Sequence, residues 1–405
     1  MLKFTLSYLS QLTNNSHHPS QNESIHFQPR RRSTKPAQRV QFSVYLATTL
    51  ATIMLYSTDD LRIIGIQEVL PPAQLHEELP ITDKASETVF LARKASQDIL
   101  HKRDDRLIVI VGPCSIHDPI AAREYATRLK PLIEELKDDL HIIMRVYFEK
   151  PRSVVGWKGL INDPYLDGSF KINDGLHIAR KLLLDLAEMG IPAATEYLDL
   201  ISPQYIADLV SWGAIGARTT ESQAHRELAS GLSCPVGFKN ATDGGLQIAV
   251  DACLSASKPH HFMSLTKAGR SAIFSTTGNP DCHVILRGGR TPNFDADSVN
   301  AAAEIIGRSG QTVRIMIDCS HANSGKNHIQ QETVCRDVAA QVAAGDKRII
   351  GLMLESHLVA GRQNAEPGKE LVYGQSITDA CMAWDKTEVL LRELAAAVRE
   401  RRQHQ

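Results

Sequence analysis

The order of β-rich and helical stretches predicts an α/β protein, a (β/α)8 barrel with an N-terminal arm and a β-hairpin insertion before the sixth barrel strand. Three observations carry that expectation. Eight short β-rich runs alternate with longer stretches of helical periodicity, the pattern of a parallel sheet with crossover helices. No Gly-x-Gly-x-x-Gly or Walker signature follows the first run, which disfavours the competing fold, an open doubly wound sheet. Each run closes on a residue able to do chemistry, as expected where strand ends converge on one mouth.

The first unit shows the grammar. "RLIVIVGP" reads as a buried strand closed by Gly-Pro. Asp118 then supplies an N-cap and Pro119 the first helical position. Ile120, Leu129, Leu132, Ile133 and Leu136 are expected to form one apolar stripe on the helix that follows. Later strands are "HIIMRVY", "IPAATE", "AIGAR", "PVGFK", "HVILR", "RIMIDCSH" and "IIGLMLE". Helices are expected over Leu176–Met189, Pro203–Val210, Glu221–Ala229, Leu246–Ser255, Val299–Ile306 and Val334–Ala344. "PHHFMSLTKAGRSAIFSTTGN" alternates like a hairpin turning at Lys267, Ala268 and Gly269.

The strand ends are Cys114, Arg145, Glu196, Arg218, Lys239, Arg287, His321 and Glu355. Exposure alone explains any one polar strand end. Eight together, with long gaps only after strands two and five, point to one shared site and two insertions.

Composition narrows the function classes. With 43% apolar and 22% charged residues the chain is an ordinary globular protein. A net charge of -1 offers no support for nucleic acid or an acidic membrane as the main partner. Seven scattered cysteines without a Cys-x-x-Cys pair disfavour a disulfide framework or a structural zinc, and point to a reducing cytosol. Residues 1–53 differ: six Lys/Arg, including Arg30, Arg31 and Arg32, face the single acid Glu23. A transit-like segment, a disordered tail and translation begun upstream of Met54 compete there, and the last is favoured. The expected organisation is thus an extension over 1–53, an arm and helix over 54–104, and the barrel over 105–405.

Four of the converging residues are cations, Arg145, Arg218, Lys239 and Arg287; Lys150 and Arg152 join them from the loop after strand two. So much like charge calls for anionic ligands, and these cations are expected to face phosphate and carboxylate groups of substrate rather than protein acids. Lys239 alone also fits a Schiff-base lysine. Cys114, His321, Glu355 and Asp379 offer one thiol, one imidazole and two carboxylates, a donor set for a divalent metal. Singly, each has a structural reading: a small core cysteine, a hydrogen-bonded histidine, a helix N-terminal acid. His117, close to Cys114, is expected to make local hydrogen bonds at its helix start.

"GPCSIHDP", "RVYFEKPRSVVGWKGLINDP", "GAIGARTTESQ", "PVGFKNATDG", "ILRGGR", "IDCSHANS" and "YGQSITDACMAW" closely resemble the motifs of class I DAHP synthases of the bacterial and fungal type regulated by aromatic amino acids. The resemblance runs from about Met54 to Arg402. It implies a cytoplasmic, metal-dependent condensation of phosphoenolpyruvate with erythrose 4-phosphate to 3-deoxy-D-arabino-heptulosonate 7-phosphate, the first committed step of the shikimate pathway to chorismate and the aromatic amino acids. By motif position one divalent ion per subunit, its identity open, would be held by Cys114, His321, Glu355 and Asp379. Arg145, Lys150, Arg218, Lys239 and Arg287 would hold phosphoenolpyruvate beside Glu196, and Lys150, Pro151, Arg152 and Ser153 would hold erythrose 4-phosphate. Ser153 stands where Thr is usual, and Ala241 where Gly is usual.

The resemblance also implies an effector site built from Phe262 and Ser264 of the hairpin, Pro203, Gln204 and Ser233, with Asp59 and Asp60 from the arm of a neighbouring subunit in a homo-oligomer, dimer or tetramer. Ser264 favours phenylalanine as the inhibitor over tyrosine. Two alternatives stand beside this reading. One is an enzyme like KDO 8-phosphate synthase, against which the Lys-Pro-Arg-Ser loop and the arm argue. The other is a catalytically silent regulatory paralogue, against which the complete ligand and cation sets argue.

Overall fold

The computed structural model describes residues 56–366 and 369–404. The expectation for residues 1–53 lies outside them. The chain divides into two units, Met1–Ile66 and Gln67–Gln405. The described part of the first, 56–66, contains no helix or strand.

The second unit is a closed parallel barrel. Its strands are β1 (Leu107–Gly112), β2 (Leu140–Arg145), β3 (Ala193–Glu196), β4 (Trp212–Ile215) and β5 (Val236–Lys239). A hairpin of β6 (His261–Leu265) and β7 (Ser271–Ser275) follows, and then the barrel strands β8 (Cys282–Leu286), β9 (Ile315–Asp318) and β10 (Ile349–Glu355). The ring runs β1-β10-β9-β8-β5-β4-β3-β2, so the eight runs read from spacing are its eight strands. The hairpin is antiparallel, pairing Phe262 with Phe274 and Ser264 with Ala272, and it turns through Lys267–Gly269 as expected.

Two helices precede the barrel, α1 (Pro72–Glu78) and α2 (Asp83–Leu100). Crossovers are α3 (Pro119–Leu136), α4 (Ile172–Glu188), α5 (Pro203–Ile206), α6 (Gln223–Gly231), α7 (Gln247–Ala256), α8 (Ala296–Arg308) and α9 (Gln330–Ala343), and α10 (Trp384–Gln403) closes the chain. No helix of the described residues is long and apolar enough to cross a membrane.

Strand alternation sorts the core into two layers. Ile108, Ile110, Ile143, Ala194, Trp212, Ala214, Ile285, Met316 and Met353 fill the barrel interior, and Ile99 and Leu100 at the end of α2 join them from outside the ring. Leu107, Val109, Val111, Ile142, Ile215, Val284, Ile317 and Leu352 instead pack outward against the helices. Trp212 needs small neighbours. A Cβ on Gly237 would come within 2.7 Å of its ring and 2.5 Å of Ile285, so an alanine there would force the interior apart.

Two helix expectations need correction. Asp118 caps α3 as expected, accepting from the backbone N–H of Ile120 and Ala121. Yet Ile120 is 65% exposed and Ile133 only half-buried; the buried stripe is Ala121, Ala122, Tyr125, Ala126, Leu129, Leu132 and Leu136. Ile120 sits in the first turn, rotated off that face. The helix expected over Pro203–Val210 is a single α-turn, α5, followed by a 3-10 turn over Ala207–Leu209. Arginines from α2 and α4 bind the carbonyls freed at this break: Arg93 takes those of Ala207 and Val210, and Arg180 that of Tyr205.

Candidate active site

The barrel alternation also aims the chemistry. Arg145, Glu196, Lys239, Arg287, Asp318 and Glu355 each stand two residues beyond an interior position: Ile143, Ala194, Gly237, Ile285, Met316 and Met353. Their side chains therefore continue the interior column into the mouth. There a cavity of about 320 Å³ is lined by Cys114, Arg145, Lys150, Glu196, Arg218, Lys239, Arg287, His321 and Asp379 among others. Gly216 in β4's trailing loop makes room for Glu196, because a Cβ there would lie 2.5 Å from Glu196 Oε1. The structure thus brings the predicted strand-end residues to one place, with Glu355 buried at its floor.

On one side of the cavity the ligating atoms of Cys114, Glu355 and Asp379 all lie within 4.8 Å of one another. His321 Nε2 is 4.0 Å from Glu355 Oε1, at the edge of the same cluster. Its backbone has φ +53°, a left-handed conformation that is uncommon for a side-chain-bearing residue and clusters at functional sites. Thiol, imidazole and two carboxylates converging on one point fit a divalent transition-metal ion. Burial, with the Glu355 carboxylate beside it, pushes the Cys114 thiol up. Metal uptake must therefore displace a proton there.

The expectation that the cations face only ligand groups is overturned for half of them. Arg145, 2% exposed, donates to Glu355 Oε1 at 3.0 Å and to the Pro113 and Cys114 carbonyls, and stacks 3.5 Å above the Tyr147 ring. Lys150 Nζ lies 2.8 Å from Asp379 Oδ2 and 3.0 Å from Cys114 Sγ. Lys239 Nζ lies 3.0 Å from Asp318 Oδ2. Burial favours neutral forms, yet Asp379 is held well below the usual carboxylate range by Lys150, whose own ammonium is pushed up by Cys114 and Asp379. Taking these cations out of water demands such partners, which is why protein acids accompany them.

Arg152, Arg218 and Arg287 remain without a carboxylate partner among the described residues. Arg152 donates to the Trp157 carbonyl and Arg218 Nε to Ser153 Oγ, which ties Arg218 to the loop that carries Arg152. The backbone N–H of Arg287 donates to the buried Asn240. The loop carrying Lys150 is closed at its base, where the Lys150 N–H donates to the Lys158 carbonyl at 2.9 Å. The Lys158 side chain itself is exposed. Glu149, the one acid near these cations in sequence, pairs with none of them. Its carboxylate accepts from Ser202 Oγ at 3.1 Å and from the N–H groups of Leu198 and Asp199.

The hairpin residues expected at an effector site do not line that cavity. Phe262 and Ser264 are half-buried on one hairpin face, with Phe262 against Phe274 at 6.1 Å. Lys267 at the turn donates to the Gln204 carbonyl, tying the tip to Pro203 and Gln204. Ser230, just before Ser233, bonds Thr276 at the hairpin's end. Asp59 and Asp60 belong to the other unit, where the Ile63 N–H donates to the Asp60 carbonyl.

Sequence reading passed over four residues of the site. Asp318 follows Met316 by two and was legible from alternation alone. Gln331 on α9 grips both backbone groups of Glu355, which no sequence pattern signals. Lys326 lines the cavity from the His321 loop, and Tyr147 lines it with a buried hydroxyl that has no partner. His117, expected to bond locally, likewise leaves Nδ1 without a partner and faces the His357 ring edge-on. Ala241 is not among the residues with positive φ, so its backbone does not call for a glycine.

This architecture has close relatives. The chain matches the DAHP synthetase I family over residues 79–392. It is 62% identical over 349 residues to the Phe-sensitive phospho-2-dehydro-3-deoxyheptonate aldolase of Escherichia coli, covering 86% of this chain and 100% of that one. A phospho-2-dehydro-3-deoxyheptonate aldolase of Haemophilus influenzae is 58% identical over 350 residues, 86% of this chain and 97% of that one. A solved phospho-2-dehydro-3-deoxyheptonate aldolase from Francisella tularensis superposes with a TM-score of 0.82 at 52% identity, covering 84% of this chain and 99% of that one. Matches of this length and identity, on a barrel mouth that gathers the same motifs, establish that the chain belongs to the DAHP synthetase I family.

Proposed function

We propose that the chain is a 3-deoxy-7-phosphoheptulonate synthase that condenses phosphoenolpyruvate with erythrose 4-phosphate and releases inorganic phosphate. The observation that carries this is the meeting, in one cavity, of a metal-type donor cluster with an arginine and lysine array. Arg145, Lys150, Arg218, Lys239 and Arg287 bind the phosphate and carboxylate of phosphoenolpyruvate, arginine by its planar fork and lysine as a point charge. Arg152 and Ser153, at the rim, take the phosphate of erythrose 4-phosphate. These contacts hold C3 of phosphoenolpyruvate towards the aldehyde carbon, which is catalysis by positioning and electrostatics.

Cys114, His321, Glu355 and Asp379 hold one divalent metal, which supplies Lewis acidity towards the aldehyde oxygen when bound. A new C–C bond forms between C3 and the aldehyde carbon, water adds at C2, and the C2–O bond breaks to release phosphate. In this reading Glu196 orients that water; its lining of the cavity without a hydrogen-bonding side-chain partner among the described residues supports the role.

Feedback inhibition by phenylalanine is proposed for the hairpin site of Phe262, Ser264, Pro203, Gln204 and Ser233, completed by Asp59 and Asp60 of a neighbouring copy in a cytoplasmic homo-oligomer. The tie between Lys267 and Gln204 supports it, because it joins hairpin and α5 into one wall. Substrate choice is tested by mass analysis of products from phosphoenolpyruvate with either erythrose 4-phosphate or arabinose 5-phosphate. A seven-carbon product from the first sugar is expected, and preference for the second contradicts the proposal.

A further inference from the structure

Between the lysine proposed for phosphoenolpyruvate and the histidine proposed for the metal lies one buried carboxylate. Asp318 is fully buried at the end of β9. Its Oδ2 is 3.0 Å from Lys239 Nζ and 2.8 Å from His321 Nδ1. The first pairs an ammonium with a carboxylate and the second sets that carboxylate against an imidazole nitrogen; neither has hydrogen-bond alignment. Its Oδ1 accepts from Ser320 Oγ, and Ser320 Oγ in turn lies 2.8 Å from His321 Nδ1. The serine has a single proton, which goes to the carboxylate, so its oxygen must accept from Nδ1–H. The serine bond and the Oδ2 contact agree, the latter because a carboxylate 2.8 Å from Nδ1 favours N–H over a lone pair there. They place the imidazole proton on Nδ1 and leave Nε2, the nitrogen nearer Glu355, with a free lone pair.

The same carboxylate is the acid that compensates Lys239, which is 2% exposed. A buried ammonium without such a partner loses its charge or its position. One side chain thus serves both halves of the cavity. We infer that Asp318 is a positioning residue, orienting His321 as a metal ligand through Nε2 and holding the Lys239 ammonium in place for an anionic substrate. This rests on the reading of the cavity as a phosphoenolpyruvate and metal site.

The test compares wild type with Asp318→Asn, which keeps shape and removes charge. Calorimetric titration is done with Mn²⁺ alone and with phosphoenolpyruvate alone on metal-free protein. Loss of the carboxylate weakens Mn²⁺ binding by about 10–100-fold, the usual cost of removing a ligand's outer partner. Phosphoenolpyruvate binding weakens by about tenfold as Lys239 loses its anchor. Wild-type Mn²⁺ affinity overturns the His321 half, and wild-type or tighter phosphoenolpyruvate affinity overturns the Lys239 half.

If wild type takes up Mn²⁺ but no phosphoenolpyruvate, the substrate reading fails by itself and the Mn²⁺ arm still decides the inference. A second measurement does not depend on the variant folding. Nitrogen-detected NMR of histidine-labelled, metal-free wild type, above the imidazole titration range, reports the tautomer, with His321→Gln assigning the signal. A proton on Nδ1 is expected, and one on Nε2 overturns the inference.

Discussion

Lys150 Nζ stands 2.8 Å from Asp379 Oδ2 and 3.0 Å from Cys114 Sγ, two atoms themselves 3.7 Å apart. The ammonium therefore belongs at once to the proposed substrate site and to the edge of the proposed metal cluster. Lys150→Met removes a charge that substrate anions need while leaving all four metal donors in place. We expect turnover to fall by about 10²–10³-fold, the scale of losing one preorganised electrostatic contact. Mn²⁺ binding should persist, since a repelling cation is gone. Calorimetry and a steady-state assay on the same sample check both, and lost metal binding with retained turnover contradicts the assignment.

Arg145 and Glu355 form a buried pair whose members depend on each other. Arg145→Leu leaves the Glu355 carboxylate buried without its cation. Stability should drop by about 3–5 kcal/mol, read from denaturant midpoints on metal-free protein. Added Mn²⁺ should recover part of that loss by engaging Glu355. A variant as stable as wild type contradicts the account.

Glu149 carries a pH signature. Burial, with Asp199 nearby, raises its carboxyl from 4.5 to about 8. The unfolded chain gives up that proton near the ordinary value, while the folded chain keeps it to about pH 8. Between those values the folded state binds the extra proton, so this group's contribution to stability is present at the acidic end and lost as pH rises. Relative to Glu149→Gln, wild type should lose stability on the order of a few kcal/mol across that window. Parallel pH profiles for the two proteins contradict the assignment.

Ser264 sits half-buried on the hairpin face that holds Phe262. Phenylalanine should inhibit wild type more strongly than tyrosine or tryptophan. Ser264→Gly should relieve phenylalanine inhibition by at least about tenfold in the inhibitory concentration, the scale of one lost polar contact with its buried partner. Basal turnover should stay unchanged. Inhibition by tyrosine alone contradicts the effector reading.

Much of this site was legible because barrel strands announce themselves twice, by their apolar runs and by the polar residue at the end of each. The strand-end residues reached one cavity because alternation carries the interior column upward. What the sequence did not disclose is pairing. Arg145, Lys150 and Lys239 looked like free cations because Glu355, Asp379 and Asp318 lie 210, 229 and 79 residues further along the chain. Asp318, by contrast, is legible from alternation, since it follows the interior Met316 by two, although its neighbour His321 offers the more familiar ligand type. The break after α5 was hidden, since it depends on Arg93 and Arg180 from other helices. Ile120 departs for a local reason: it precedes the buried Leu129 by nine residues, which at 3.6 residues per turn sets it on the opposite side of the helix.

Phosphate release in the presence of phosphoenolpyruvate and erythrose 4-phosphate, measured before and after stringent chelation, tests the central claim most directly. The account predicts release that requires both substrates, stops on chelation, returns with Mn²⁺, and fails to return in Cys114→Ala. Release that continues unchanged in chelated protein, or in Cys114→Ala, would contradict it.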